Sequence, residues 1–293
     1  MTDLLYTDVE ESLRESVRST VSRRFDHHTA AALYDAPETD VSGLWSALAG
    51  ELGLAGLLVP EDAGGAGASA RDAAVVCEEL GRSVAATPFL TSAVVATPAL
   101  LGARDSGGEV DAHLEALASG ERTAVLVLPW TARHGAWKAL GADDRVQPVA
   151  GALSADLFLL PIAGGGGTEL RLLTADQVQV DPLVSLDMTR PLAAVTVPDA
   201  SSGVLLGSGE AADRAVDEAL RAGAALLASE QYGLARWCLE TTVEYARTRV
   251  QFARPIGSFQ AIKHRLADLF LAVTQAQAAA RYAADCLARG DAD

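Results

Sequence analysis

The sequence predicts an α+β protein, mostly helical. An N-terminal helical domain (1–120) comes first, then a small middle β domain (121–207). Two long helices follow (208–293) and form a hairpin, half of a four-helix bundle. Three observations carry this. Apolar residues recur at helical spacing up to about residue 120. Four short runs of β-formers, each bounded by Gly, Pro or Asp, then follow between 123 and 198. After Gly209 comes a proline-free stretch of about 40 residues rich in Ala, Leu and Glu, then a second periodic helix.

Each element has a local cause. Thr7 with Glu10 three residues on is a capping box, and Leu13, Val17, Val21 and Phe25 form one stripe behind it. A short helix over 44–52 stops at Gly53. Pro60 and the glycines around it make a loop. Ser69 caps a helix that turns Ala73, Val76, Cys77 and Leu80 inward and ends at Gly81. Further helices are expected from Pro88 to about 101 and over 109–118. The runs 123–129, 156–161, 169–174 and 192–198 read as antiparallel strands, with a turn at Gly164–Gly167. A long helix runs from 210 to about 250, and Arg254-Pro255-Ile256-Gly257 breaks it. Ser258 is the expected cap of the last helix, whose stripe is Phe259, Ile262, Leu266, Leu269, Phe270 and Val273.

Composition excludes several classes. Apolar residues are 49% of the chain, ample for a core, and there are no internal repeats. The net charge of -16 opposes binding to nucleic acid or to anionic membranes. No leader and no span of about 18 apolar residues is present, so a cytoplasmic protein is expected. Cys77, Cys238 and Cys286 form no CxxC pair. They read as reduced, buried thiols, with no metal site. Gly207-Ser-Gly209-Glu-Ala-Ala212 matches a dinucleotide-binding fingerprint, but the helix after it runs past residue 240 with no strand to follow. A glycine loop feeding a long helix fits better.

The most specific segment is 244–269. It contains Tyr245, Arg249, Phe252, Pro255-Ile256, Phe259-Gln260 and Leu266-Ala267-Asp268. It resembles the signature of the acyl-CoA dehydrogenases, in which Arg-x-x-Phe-Gly-x-Pro-Ile, Phe-Gln and Leu-Ala-Asp lie across the turn between two long helices. Earlier stretches, Leu52 to Glu61, Gly64 to Gly67 and Glu78-Glu79-Leu80-Gly81, resemble that family's N-terminal domain. The resemblance implies FAD as cofactor, with Arg249, Phe252 and Gln260 contacting its adenosine and pyrophosphate side across a subunit interface. A guanidinium fork suits phosphate oxygens and an aromatic face can cover a ring. Taken singly, the three also read as a helix-end arginine, a core Phe and a surface Gln. Lys263 and His264 match the family's pattern or a solvated face equally.

Three departures matter. Ala253 stands where the family has Gly, a position that favours positive φ. The loop and Trp-bearing strand that cover the flavin ring are missing, and Trp137 sits in no matching context. The catalytic base is unassigned: in most members it lies beyond residue 293, and in a second subset its place falls near Gly223. Glu218 and Glu230 are more than a turn from there, and Glu230 reads as a surface or interface charge. The resemblance implies α,β-desaturation of an acyl-CoA thioester, hydride transfer to flavin, and an electron-transfer flavoprotein as acceptor. The alternative is a non-catalytic partner subunit of a hetero-oligomer that supplies half of an FAD site. A shortened chain would leave the apolar face of 259–273 in need of a partner. A homo- or hetero-oligomer is expected on either reading.

Overall fold

A computed structural model describes residues 4–36, 39–104, 110–141 and 144–291. The N-terminal part is helical. Helix α1 (Asp8–Arg24) begins at the expected capping box: Thr7 Oγ1 accepts from Glu10 N–H at 3.2 Å, and Thr7 N–H donates to Glu10 Oε2 at 2.6 Å. Helix α2 (His27–Asp35), capped by Asp26, was not legible in the periodicity. Helix α3 (Ser42–Ser46) passes into a π-helical turn, Ala47–Glu51, before Gly53 turns the chain with φ 66°. Helix α4 (Ala70–Ser83) is capped by Ser69 and Asp72. A second π-helical segment, Phe89–Ala96, leads into α5 (Thr97–Gly102), and α6 spans Val110–Ala118. The expected start of α6 at Glu109 lies outside the described residues.

The middle region holds seven strands in two sheets. They are β1 (Ala124–Leu126), β2 (Arg145–Ala150), β3 (Leu157–Gly164), β4 (Gly167–Thr174), β5 (Gln179–Leu183), β6 (Leu192–Thr196) and β7 (Val204–Ser208). One sheet has the order β1-β3-β4-β7 and the other β2-β6-β5. The Gly164–Gly167 turn closes the β3–β4 hairpin as expected. The expectation of antiparallel pairing throughout fails at β1, which runs parallel to β3. Three strands escaped the sequence reading. Two of them carry a proline, Pro148 in β2 and Pro182 in β5. Both are edge strands, where a residue without an N–H is tolerated.

Two long helices complete the chain: α7 (Glu210–Thr248, 39 residues) and α8 (Gln260–Ala288, 29 residues). Between them, Val250–Gln251 (β8) pairs with Arg254–Pro255 (β9). The Gly207–Ala212 motif is a strand end and helix start, but β7 pairs antiparallel with β4, so no βαβ unit forms. Ser258 does not cap α8. The cap position is Phe259, and the Ser258 hydroxyl is buried without a partner. The expected α8 stripe is only partly covered: Ile262, Leu266 and Val273 are half-buried, but Leu269 and Phe270 are exposed. Cys238 is exposed, against expectation, whereas Cys77 and Cys286 are buried. Among the described residues, no helix is long and apolar enough to cross a membrane, and no cluster of His, Cys, Asp or Glu is placed to hold a metal ion.

Helix α4 lies at the centre. It is buried on every face from Ala73 to Gly81, the pattern of a helix enclosed by others. Its buried acids are met on one side by α1, the segment before it and α8: Glu78 accepts from Tyr6 Oη (2.5 Å) and Arg14 (2.8 Å) and pairs with Arg281 (3.6 Å), and Glu79 accepts from Arg18 (2.6 Å). Burial pushes the Glu78 carboxyl above its ordinary range, against the pull of Tyr6, Arg14 and Arg281. On the other side, α4 crosses α7 with almost no space between backbones. A methyl group on Gly81 would lie 2.0 Å from the Glu230 carbonyl oxygen, and one on Gly233 would lie 1.9 Å from that of Glu78. Helix α7 therefore serves two cores. Ala212, Ala215, Val216 and Ala219 pack against the β region, and Leu226 packs with α1, α3 and α4. Gly233→Ala should force the two helices apart and lower the unfolding free energy by about 2–3 kcal/mol, read as a fall in Tm by several degrees.

Candidate functional site

The α4–α7 crossing forms one wall of a cavity of about 1,070 Å³. Leu80, Gly81 and Val84 line it from the end of α4, and Leu227, Glu230, Gln231 and Leu234 from α7. Trp45 of α3 and Leu90 and Thr91 of the π-helical segment close the N-terminal side. The β region contributes three loops: one carrying Trp130, the turn Gly151–Ser154, and the β5–β6 connection from Ser185 to Pro191. This is the top of the size range for ligand sites, and a junction of helical and β layers is a common place for one.

Most charged groups on the wall are tied down. Arg190 Nη2 donates to Glu230 Oε1, which joins the β5–β6 connection to α7. The Arg190 guanidinium also lies over the Trp130 ring, 5.1 Å from its centroid. The backbone that presents Arg190 is a tight turn. Thr189 N–H and hydroxyl both donate to Asp187 Oδ1 (2.9 and 2.6 Å), and Arg190 N–H donates to the Asp187 carbonyl (3.2 Å). Asp156 accepts from Thr123 N–H at 2.7 Å and Asp40 from Ser42 N–H at 2.9 Å, so each carboxylate is engaged through one oxygen by a backbone N–H. Burial pushes the nearby Cys77 thiol well above its ordinary value and the Glu230 charge adds to the rise, so that thiol stays protonated and inert.

Several sequence readings change here. Glu230 is no surface charge: it lines the cavity with its side chain 20% exposed and paired. Gly223, at the place of the alternative base, faces the π-helical segment, where a Cβ would lie 2.9 Å from Val95 Cγ2. Trp137 is outside the cavity and donates its indole N–H to Asp217 at 2.8 Å, which fastens a loop to α7. The tryptophans on the cavity wall are Trp45 and Trp130, and Arg190 and both tryptophans were missed. The only sequence signal for Trp130 is its position directly after the strand-ending Pro129.

Arg249, Phe252 and Gln260 are brought together differently. Arg249 caps the end of α7 and Gln260 opens α8, but none of the three lines the cavity. All three are exposed at the hairpin tip, Phe252 by 88%, and Lys263 and His264 are exposed beside them. The Arg249 guanidinium has no partner among the described residues. The tip is a two-residue turn with φ 53° at Phe252 and 61° at Ala253, the positive-φ pair of a type I′ hairpin. Phe259 steadies it, edge-on to Phe252 at 6.2 Å and under the Arg254 guanidinium at 4.0 Å. The Ala253 departure from Gly thus leaves the positive φ in place.

The only other non-glycine residue with positive φ among the described residues is Val84, at the left-handed position closing α4. Its N–H donates to the Gly81 carbonyl (3.2 Å) and the next N–H to that of Leu80 (2.9 Å). Glycine normally fills that position. Among the described residues, non-glycine positive φ therefore occurs at two places, the cavity wall and the hairpin tip. Strain of this kind persists where function or the surrounding structure demands it.

The comparisons with known proteins decide the family. Residues 7–121 match the acyl-CoA dehydrogenase N-terminal domain and residues 214–293 the acyl-CoA dehydrogenase C-terminal domain. The chain is 37% identical over 276 residues to acyl-CoA dehydrogenase IpdE2 of Mycolicibacterium smegmatis, covering 93% of this chain and 75% of that protein. The chain belongs to the acyl-CoA dehydrogenase family. Solved structures agree. The ChsE4-ChsE5 complex of Mycobacterium tuberculosis superposes with a TM-score of 0.83 at 25% identity, covering 98% of this chain and 80% of that one. A glutaryl-CoA dehydrogenase of Mycobacterium smegmatis solved in complex with FADH2 shares the fold, with a TM-score of 0.80 at 20% identity over 98% and 78%.

The tip of this family member yields a direct test. Ala253→Gly should raise its unfolding free energy in urea by about 1 kcal/mol, because glycine relieves the positive-φ strain. An unchanged or lower value would show that the turn carries none.

Proposed function

We propose that this chain takes part in FAD-dependent α,β-desaturation of an acyl-CoA thioester within an oligomer of acyl-CoA dehydrogenase subunits. The observation that carries the reading is the pairing of two separate surfaces in a member of this family. One is a large cavity between the helical and β layers, and the other is an exposed, strained hairpin tip bearing Arg249, Phe252 and Gln260. A free guanidinium fork, an exposed aromatic face and a side-chain amide fit the phosphates and rings of FAD. Exposed and outside the chain's own cavity lining, they would hold a cofactor seated on a neighbouring subunit.

When bound, FAD supplies the two-electron acceptor for the substrate's β-hydride. An electron-transfer flavoprotein is the proposed next acceptor. The protein's own residues have narrower tasks. The α4 and α7 walls exclude water with Leu80, Leu227 and Leu234, and the Arg190–Glu230 pair fixes the β5–β6 connection. The α-proton must leave to a carboxylate base, which needs a free oxygen near the substrate.

A second reading, a partner subunit that lends its tip to a catalytic neighbour, is favoured by the state of the cavity carboxylates. Asp40 and Asp156 are engaged by backbone N–H groups, Asp187 by its own turn, and Glu230 by Arg190. Glu121 is exposed on the turn after α6. Hydrogen bonds donated to an ionised carboxylate stabilise that form and weaken it as a base.

Absorbance spectra of the protein purified alone and with a second family member separate the readings. A flavin spectrum on a homo-oligomer, bleached anaerobically by an acyl-CoA, means a self-sufficient dehydrogenase. Flavin held only in the mixed complex means a partner subunit. In whichever assembly holds flavin, Arg249→Ala should weaken FAD retention by about tenfold or more, measured as flavin-to-protein ratio after dilution and gel filtration. Full occupancy in that variant would remove the tip from the cofactor site.

A further inference from the structure

We infer that Arg190 selects the substrate's acyl group: the cavity takes an acyl chain bearing a neutral oxygen, a ketone or an alcohol, remote from the thioester, and rejects one ending in a carboxylate. This rests on the reading of the cavity as an acyl-CoA site.

Arg190 is the only cationic side chain among the described residues lining the cavity. Of its five N–H donors, one is committed, through Nη2 to Glu230. The remaining donors have no protein partner among the described residues, and the side chain is 26% exposed. The fork cannot swing freely. Glu230 holds one end, the Trp130 ring lies against its face, and the tight Asp187–Arg190 turn fixes its backbone. A guanidinium held this way is a pre-oriented donor set on the cavity wall, and it discriminates best between a substrate with an acceptor oxygen and one without.

Charge decides which oxygen. Glu230 already neutralises Arg190, and Asp40, Glu121, Asp156 and Asp187 line the same cavity. A carboxylate entering would compete with Glu230 for the one cation and face four further acids, whereas a carbonyl or hydroxyl accepts from the open N–H groups without displacing Glu230. Arg190 therefore acts on specificity, with no role in the proton or hydride transfer.

The test is a binding series of equal chain length: octanoyl-CoA, its 5-, 6- and 7-oxo derivatives, and suberoyl-CoA, each titrated by calorimetry into the flavin-loaded protein in the assembly that holds flavin. At least one oxo ester should bind about tenfold tighter than octanoyl-CoA, as expected for a hydrogen bond from a charged donor, and suberoyl-CoA should bind weakest. In Arg190→Met the preference should collapse towards one, and in Arg190→Lys, which keeps the charge beside Glu230 but loses the fork, it should fall part-way. The wild-type series needs no variant to fold. Equal affinity for octanoyl-CoA and all oxo esters, a preference that survives Arg190→Met, or tightest binding of suberoyl-CoA would each overturn the inference while leaving the acyl-CoA reading intact. Failure of every ester to bind would overturn both.

Discussion

The architecture depends on one close approach. Helices α4 and α7 cross with Gly81 against the backbone of Glu230 and Gly233 against the backbone of Glu78. The two contacts are reciprocal, each glycine lying three residues along its own helix from the glutamate that the other glycine faces, so the helices meet at a single seam. Only glycine permits that separation, because any Cβ would lie inside the van der Waals radius of a carbonyl oxygen. The seam fixes α7 against the N-terminal helices, and α7 in turn carries the β region on its first half. The cavity exists because these layers are held at that spacing, with Gly81 and Glu230 both on its wall.

Charge is distributed around the seam in two groups. On one side, Glu78 and Glu79 are buried and met by Tyr6, Arg14, Arg18 and Arg281 from α1, α8 and the segment before α1. A buried pair of this kind adds little net stability but makes loss of one partner costly, so it enforces a single arrangement of the three helices. On the other side, Glu230 and Arg190 do the same for the cavity wall. Two glutamates that flank one helix crossing thus fasten two different layers to it.

Backbone strain marks where the molecule spends stability on something other than its own folding. Val84 at the cavity and Phe252 and Ala253 at the tip hold left-handed conformations that glycine would adopt freely. Phe252 is also 88% exposed. Neither the strain nor the exposure stabilises the isolated chain, and both suit a side chain displayed for a ligand or a neighbouring subunit.

The sequence by itself determined the helices with strong local signals, namely the capping box at Thr7, the cap at Ser69, the long proline-free α7 and the break at Arg254–Gly257, and through the Arg249–Gln260 segment it pointed to the family. These features are local, written in spacing and caps. What it misjudged depends on neighbours distant in sequence. Pro148 and Pro182 hid edge strands, and β1 pairs parallel with β3 because the sheet places it there. The Ser258 hydroxyl is buried without a partner and does not cap α8. Above all, the tertiary structure alone decided that Glu230 faces a cavity and meets Arg190, 40 residues away. No period or motif encodes that pair. It arises because two backbones approach closely enough, at Gly81 and Gly233, to turn one face of α7 into a wall.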